Sequence, residues 1–260
     1  GKVSSLQDIH FVHHSFPGMD VADVDLSVDL DELKFSVPFF INAMSGGSEW
    51  TGKLNQKLAI VARETGLAIA TGSISAGLKM PEVQESYTVM RKENPNGLIF
   101  ANLGAGHGVE NAKKAVDMID ADAMQIHLNS PQEVVMPEGD REFNSWVDNI
   151  VEIVDGIDVP LIVKEVGFGM SRETVSILQD IGVKYIDISG KGGTNFAEIE
   201  NFRRREYKLD GLEAWGQTTA VSVLEAMEVK EDSHIFASGG IRTSTTSGID
   251  SPAPSSPNRS

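Results

Sequence analysis

Short apolar segments alternate with longer segments in which apolar residues recur at helical spacing, and this rhythm begins near residue 37. The apolar segments are hydrophobic on both faces, as in the strands of a parallel sheet covered by helices. They predict strands at Phe39–Met44, Leu67–Thr71, Leu98–Ala101, Ala123–Leu128, Leu161–Val166, Tyr185–Ile188 and His234–Ala237. The helical pattern predicts helices at Thr51–Thr65, Glu82–Glu93, Val109–Ile119, Ser145–Val154, Ser171–Gln179 and Thr219–Val229. This strict alternation favours an α/β TIM (β/α)₈ barrel, with an open flavodoxin-like or Rossmann sheet as the alternative.

The two ends of the chain depart from this alternation, so the barrel domain is predicted to span residues 37–242. Residues 1–36 predict an N-terminal arm, whose Val-Asp alternation fits a short strand pair or an arm across a barrel mouth. Residues 243–260 are rich in Ser, Thr and Pro, which predicts a disordered tail. Such a tail cannot supply the last βα units of the barrel. We therefore expect those units to be missing, and a chain truncated at both ends.

Composition excludes several classes of function. The 22 basic and 38 acidic residues give a net charge of −16, which argues against nonspecific binding to nucleic acid or to an anionic membrane. The absence of cysteine excludes disulfides, thiolate metal sites and cysteine nucleophiles, and it fits a cytoplasmic protein. No apolar stretch approaches the ~20 residues of a membrane span, and the first residues carry no signal peptide.

The chemistry is predicted to centre on Met124–Phe143, where polar side chains gather at the end of a strand. His127 and Asn129 end the strand, and Gln132 and Glu133 follow at once. In parallel α/β folds the carboxyl ends of strands are where active sites lie. His127 fits a proton relay, Gln132 a hydrogen bond to the substrate, and Glu133 a metal ligand. A lone carboxylate would hold Mg²⁺ only together with water and a phosphate; alternatively, Glu133 merely starts a helix and His127 is a core residue.

Three glycine-bearing stretches follow predicted strands, at Ser45–Ser48, Ser189–Thr194 and Ser238–Arg242. Glycines let backbone N–H groups crowd an anion, and the loops after the late strands are the usual phosphate site of such barrels. The two late stretches therefore predict a phosphate-binding cradle. The alternative is that these glycines only permit tight turns.

Lys164 is the one basic residue inside the apolar strand Leu161–Val166. An inward-pointing lysine in a barrel strand is costly unless it is paired. It fits a Schiff-base nucleophile, a charge against a flavin ring, or half of a buried pair with Glu165. Ser73 and Asn102 also end strands, where either residue commonly caps a turn.

Many of these residues lie in strings that, taken together and in order, are typical of one family. The strings are INAMSGGS (41–48), TGKLNQ (51–56), ETGLAIATGS (64–73), ANLGAG (101–106), QIHLNSPQEVVMPEGDREF (125–143), PLIVKEVGFGMS (160–171), DISGKGGTNFAEIEN (187–201) and SGGIR (238–242). Over roughly residues 11–242 the chain resembles the type 2 isopentenyl-diphosphate delta-isomerases, which are FMN-dependent enzymes of the (β/α)₈ class.

The resemblance implies interconversion of isopentenyl and dimethylallyl diphosphates, with FMN reduced by NADPH, with Mg²⁺, and with the reduced flavin as proton donor and acceptor. Gln132 would bind substrate, Glu133 would ligate Mg²⁺, and His127 with Asn129 would line the diphosphate pocket. The full-length family would form homo-oligomers. The residues implied for FMN are Ala43, Met44, Ser45, Ser73, Asn102, Lys164, Ser189, Thr194, Gly240, Ile241 and Arg242.

Two other hypotheses remain open from the sequence. One is an FMN-dependent oxidoreductase on the same barrel. Nucleotide dehydrogenases are excluded because they need a cysteine nucleophile, which this chain lacks. Hydroxy-acid oxidases need a His base close to an Arg after a late strand, whereas SGGIR offers Arg242 without such a His. The other is an inactive truncated fragment that binds flavin weakly.

Overall fold

The computed structural model describes residues 5–205 and 207–242, so the predicted tail at 243–260 lies outside it. The strands are β1 (Val28–Leu30), β2 (Leu33–Phe35), β3 (Phe40–Ile41), β4 (Ala68–Ala70), β5 (Ile99–Gly104), β6 (Ala123–Leu128), β7 (Leu161–Glu165), β8 (Tyr185–Asp187) and β9 (His234–Phe236). The helices are α1 (Glu49–Thr65), α2 (Ser75–Lys79), α3 (Glu85–Glu93), α4 (Val109–Ile119), α5 (Ser130–Val135), α6 (Trp146–Gly156), α7 (Arg172–Asp180), α8 (Phe196–Arg203) and α9 (Thr219–Val229). Short 3₁₀ helices lie at Ser5–Asp8, Val21–Asp23, Pro81–Val83 and Asp210–Leu212.

Strands β3 to β9 form one parallel sheet, and their order in the sheet follows their order in the chain. The sheet curls, so that the Phe40 ring of the first strand lies 5.8 Å from the Phe236 ring of the last, centroid to centroid. All seven predicted strands are present, although β3 is only two residues long where six were predicted. The prediction of a TIM-type α/β fold is confirmed.

The helices cover the outside of the sheet and bury its outward-facing residues. Buried side chains such as Ile99, Leu103 and Ile126 belong to the same apolar cluster as Ala59 of α1 and Ile150 of α6. In the described part of the chain, none of the helices has both the length and the apolar character needed to cross a membrane.

Strands β1 and β2 form an antiparallel hairpin that closes the end of the barrel where the strands begin. Leu33 and Phe35 join a second apolar cluster, which includes Ala68 and Phe100 from the inside of the sheet. The Tyr185 hydroxyl donates to the Leu30 carbonyl at 2.7 Å. The strand pair predicted for the N-terminal arm is therefore present, and it lies across a barrel mouth.

Local sequence signals fix where the long helices start and stop. Ser48 accepts the backbone N–H of Thr51 and so caps the start of α1. The same helix ends at Gly66, whose φ of 70° favours glycine. Ser48 and Gly66 therefore set the two ends of α1, whose N-terminus directly follows the Ser45–Ser48 turn.

Candidate functional site

A cavity of about 1200 Å³ opens at the carboxyl ends of the strands and extends into the barrel. Its wall brings together most of the predicted site residues, from segments far apart in the chain. The predicted residues that line it are Ala43, Met44, Ser73, Asn102, His127, Asn129, Gln132, Glu133, Lys164, Ser189, Thr194, Gly240 and Ile241. This is where parallel barrels place their chemistry.

Strand register places the main polar side chains next to one another. His127 of β6 lies opposite Lys164 of β7 in the ladder, and Lys164 lies opposite Asp187 of β8. Residues in register on neighbouring parallel strands point to the same face of the sheet. All three therefore face the inside of the barrel.

Lys164 is buried, and its Nζ donates to the backbone carbonyl of Glu165 at 2.8 Å. Burial lowers the pKa of Lys164, and the carboxylates of Asp187 and Glu165 offset part of that shift. The predicted side-chain pair of Lys164 with Glu165 is wrong, because consecutive strand residues point to opposite faces. The Glu165 carboxylate instead accepts the backbone N–H groups of Val166 and Phe168, at 2.6 and 2.8 Å.

His127 is held by one ring nitrogen. Its Nδ1 lies 2.9 Å from Asn102 Oδ1. Burial, together with the positive charge of Lys164, lowers the pKa of His127 to about 3. The imidazole is therefore neutral near pH 7. The interpretation of His127 as a satisfied core residue explains the Nδ1 contact but leaves Nε2 at the cavity.

Three further polar residues inside the barrel escaped sequence analysis: Asn42, Gln125 and Asp187. Asp187 and Gln125 are fully buried. Asn42 Nδ2 donates to Asp187 Oδ2 at 2.9 Å, and Gln125 Nε2 donates to Asn42 Oδ1 at 3.3 Å. The sequence signal was a polar residue inside a mostly apolar strand, a pattern that implies a hydrogen-bonded partner in the core.

Gln132 and Glu133 lie in the first turns of α5, directly after β6. Asn129 Nδ2 donates to Glu133 Oε1 at 2.8 Å, and the backbone N–H of Asp140 donates to Glu133 Oε2 at 2.7 Å. Gln132 Nε2 donates to Glu200 Oε1 at 3.4 Å. A helix here matches the alternative that Glu133 starts a helix, and it still leaves both side chains on the cavity wall.

The two late glycine stretches pack directly against each other, and the Gly190 N–H donates to the Ser238 carbonyl at 3.0 Å. A Cβ added to Gly192 would lie 3.1 Å from the Gly239 carbonyl oxygen, and one added to Gly239 would lie 2.0 Å from that of Gly190. Gly239 and Gly240 have φ values of 99° and 87°, which favour glycine. Among the backbone N–H groups of these loops, those of Gly193, Thr194, Gly240 and Ile241 line the cavity and donate to no acceptor within residues 5–205 and 207–242.

Ser45 and Arg242 are placed differently from the other predicted FMN residues. The Ser45 hydroxyl donates to Asn55 Oδ1 at 2.5 Å, and the Ser45 carbonyl accepts the N–H of Gly72. Arg242 Nη2 donates to the Gly192 carbonyl at 3.2 Å, so it ties the two late loops together. Neither residue lines the cavity, and both hydrogen-bond to segments that border it.

The metal prediction rests on Glu133 alone. Within the described ranges no group of three or more His, Asp or Glu side chains could hold a metal ion. Glu133 accepts one hydrogen bond on each carboxylate oxygen, which leaves further lone pairs. The donor set fits Mg²⁺ held by one carboxylate with water and phosphate oxygens, and not an all-protein cage.

Comparison with known proteins gives strong sequence relatives. Isopentenyl-diphosphate delta-isomerases of Staphylococcus aureus strains JH9 and Newman are each 55% identical over 240 residues, covering 92% of this chain and 69% of theirs. No family model matches the chain.

Solved structures that resemble the chain share its fold at low sequence identity. A mandelate oxidase mutant with the C4a-OH-FMN adduct gives a TM-score of 0.53 at 15% identity, over 87% of this chain and 66% of that one. Inosine 5′-monophosphate dehydrogenase from Legionella pneumophila gives 0.60 at 14% identity, over 94% of this chain and 64% of that one. The chain spans about two thirds of the length of both, and the likeness concerns the fold alone.

Proposed function

Because the chain belongs to the isopentenyl-diphosphate delta-isomerase family, we propose that it interconverts isopentenyl and dimethylallyl diphosphates with reduced FMN and Mg²⁺. The observation that carries this proposal is the convergence of Lys164, His127, Gln132 and Glu133 on one cavity that ends in a glycine cradle. NADPH is the proposed reductant. A cytoplasmic location and a homo-oligomeric full-length protein are further parts of the proposal.

The late loops would hold the FMN phosphate. Where the two loops meet at the cavity, the backbone N–H groups of Gly193, Thr194, Gly240 and Ile241 have no acceptor in the described part of the chain. Such a nest of N–H groups suits a phosphate, because each ionised oxygen accepts several hydrogen bonds. Gly239 and Gly240 have positive φ values, which favour glycine, and glycine places no side chain in this space.

The middle strands would hold the flavin ring. Lys164 of β7 and Asn102 of β5 lie on the cavity wall on either side of β6, and Ala43 and Met44 line it just after β3. A lysine charge beside the ring would favour an electron-rich flavin. Bound reduced FMN would supply the proton donor and acceptor at the allylic carbons of the substrate.

The α5 turn would hold the diphosphate and its metal ion. Glu133 would bind Mg²⁺ through the lone pairs that Asn129 and Asp140 leave unused, while the Gln132 amide would hydrogen-bond the substrate. Mg²⁺ commonly binds one or two carboxylates together with substrate phosphates. His127 and Asn129 would line the same pocket.

The test measures flavin retention and isomerase activity on the same protein. After incubation with FMN and desalting, we expect flavin absorption near one per chain, followed by isomerisation that requires both NADPH and Mg²⁺. Glu133→Gln should raise the Mg²⁺ concentration needed for half-maximal activity at least ~10-fold. Glu142→Gln, at an exposed carboxylate of the same segment, is the matched control. Colourless protein without isomerase activity would refute the proposal, as would equal Mg²⁺ requirements in the two variants.

A further inference from the structure

A continuous row of hydrogen bonds runs through the inside of the barrel from β8 to β6. It begins at Asp187, passes through the side-chain amides of Asn42, Gln125 and Asn102, and ends at the His127 ring. Its four links measure 2.9, 3.3, 3.3 and 2.9 Å. Asp187, Gln125 and Asn102 are buried, which makes an unpaired group there costly, while Asn42 and His127 are partly exposed.

The row has a fixed direction, because Asp187 at its first end accepts hydrogen bonds. Its Oδ1 accepts the Ser189 N–H, its Oδ2 accepts Asn42 Nδ2, and the Ser238 hydroxyl lies within hydrogen-bond distance of both oxygens, at 2.8 and 3.0 Å. The orientation of the Asn42 amide is set a second time at its oxygen, which accepts the N–H of Ala43 at 2.8 Å. Two independent contacts therefore turn the nitrogen of Asn42 towards Asp187.

The orientation of each following amide is then determined by the one before it. Asn42 Oδ1 accepts a hydrogen bond from Gln125 Nε2, and Gln125 Oε1 accepts one from Asn102 Nδ2. This turns Asn102 Oδ1 towards His127, where only an N–H can complete the contact. The tautomer of a neutral imidazole is set by the hydrogen bond that one ring nitrogen makes.

We propose that Asp187 is a positioning residue for His127, which it fixes through three amides as the Nδ1–H tautomer with Nε2 as the proton-accepting atom at the cavity. Gly104 supports this arrangement: a Cβ added there would lie 3.2 Å from Nε2, so the glycine leaves that atom uncovered. A fully ionised diphosphate oxygen and an unprotonated Nε2 are both hydrogen-bond acceptors. If the proposed function is right, the substrate diphosphate can therefore hydrogen-bond to Nε2 only when one proton is added between them.

The test reads the protonation of each ring nitrogen of His127 by ¹⁵N NMR on the flavin-free chain. Loss of signals in His127→Gln identifies this ring among the six histidines. In the unaltered chain we expect the protonated nitrogen to be Nδ1. Because no flavin or substrate is present, the result is independent of whether the chain is an isomerase.

Asp187→Asn is expected to reverse the row. The Ser189 N–H donates only to the Oδ1 position and so requires an oxygen there, whereas the Ser238 hydroxyl contacts both positions and can donate or accept; the new NH₂ group therefore faces Asn42. The Asn42, Gln125 and Asn102 amides must then rotate, and Nδ2 of Asn102 meets an unprotonated Nδ1. The protonated-nitrogen signal of His127 should move from Nδ1 to Nε2.

Glu165→Gln is the matched control, since Glu165 is also a buried carboxylate whose charge acts on Lys164, but it lies outside the row. It should leave the His127 tautomer unchanged. Retention of Nδ1–H in Asp187→Asn, or a tautomer change in Glu165→Gln, would overturn the proposal.

Gln125→Met provides a second route if Asp187→Asn does not fold. Methionine has nearly the volume of glutamine and interrupts the row between Asn42 and Asn102. Asn102 can then turn either way, so both tautomers of His127 should be detected. A single Nδ1–H tautomer in this variant would show that the row does not set it.

Discussion

Phe35 anchors the hairpin that closes the barrel, and replacing it by alanine tests that role. Its ring is 8% exposed. It packs edge to face on Phe100 and Phe236, at centroid distances of 6.2 and 5.9 Å, and it lies tilted against Phe40 at 6.3 Å. Through these three rings the hairpin contacts the first, third and last strands of the sheet.

The cost of Phe35→Ala follows from this packing. Replacing a buried Phe by Ala costs ~3–5 kcal/mol of unfolding free energy when the space stays empty. One side of the ring borders the cavity, so it has fewer neighbours to lose there. We therefore expect the lower end of the range, about 3 kcal/mol, which is a large part of a typical domain's stability of ~5–15 kcal/mol.

Urea unfolding followed by circular dichroism measures this loss. Lys34→Ala, at the adjacent hairpin residue, is the control because the Lys34 side chain is 71% exposed, and it should change stability by less than ~0.5 kcal/mol. If the two variants unfold at the same urea concentration, the hairpin does not anchor the barrel and the reasoning is refuted.

Two further predictions concern the late loops and one buried carboxylate. Gly239→Ala should abolish flavin retention after desalting, since its Cβ would lie 2.0 Å from the Gly190 oxygen at a φ of 99°, whereas Gly211→Ala, which meets nothing within 4 Å, should retain flavin. Burial raises the pKa of Glu165 from 4.5 to about 7, so the folded chain binds this proton more tightly and the contribution to stability falls as pH rises through that interval. Between pH 5 and pH 8 the melting temperature of Glu165→Gln should therefore fall by less than that of the unaltered chain. An equal fall in the two proteins would contradict this reasoning.

The alternation of strands and helices was predictable because it depends on local apolar patterning. The seven strands were found at their predicted places, and Lys164 was correctly predicted to face the inside of the barrel. The short helices α2 and α5 were not predicted, since five or six residues are too few to show a helical period. Helix α8 was also missed, because it has only eight residues and half of these are polar.

Partners across the barrel were not predictable from the chain. Asn42 and Asp187 are 145 residues apart, and nothing local links them. The position of Glu165 shows the same limit on a smaller scale. Its charge suggested a pair with Lys164, but the pleat of the strand sends the two side chains to opposite faces.

The hairpin also sets an order of events during synthesis. Leu30 receives its hydrogen bond from Tyr185, which is 155 residues later in the chain. At ~5–20 residues per second a ribosome needs roughly 8 to 30 s to make that stretch. The hairpin therefore waits while the βα units behind it assemble in turn. During that wait, Leu33 and Phe35 lack the barrel wall on which they will pack, so a chaperone that shields this segment would protect the nascent chain when its apolar surface is most exposed.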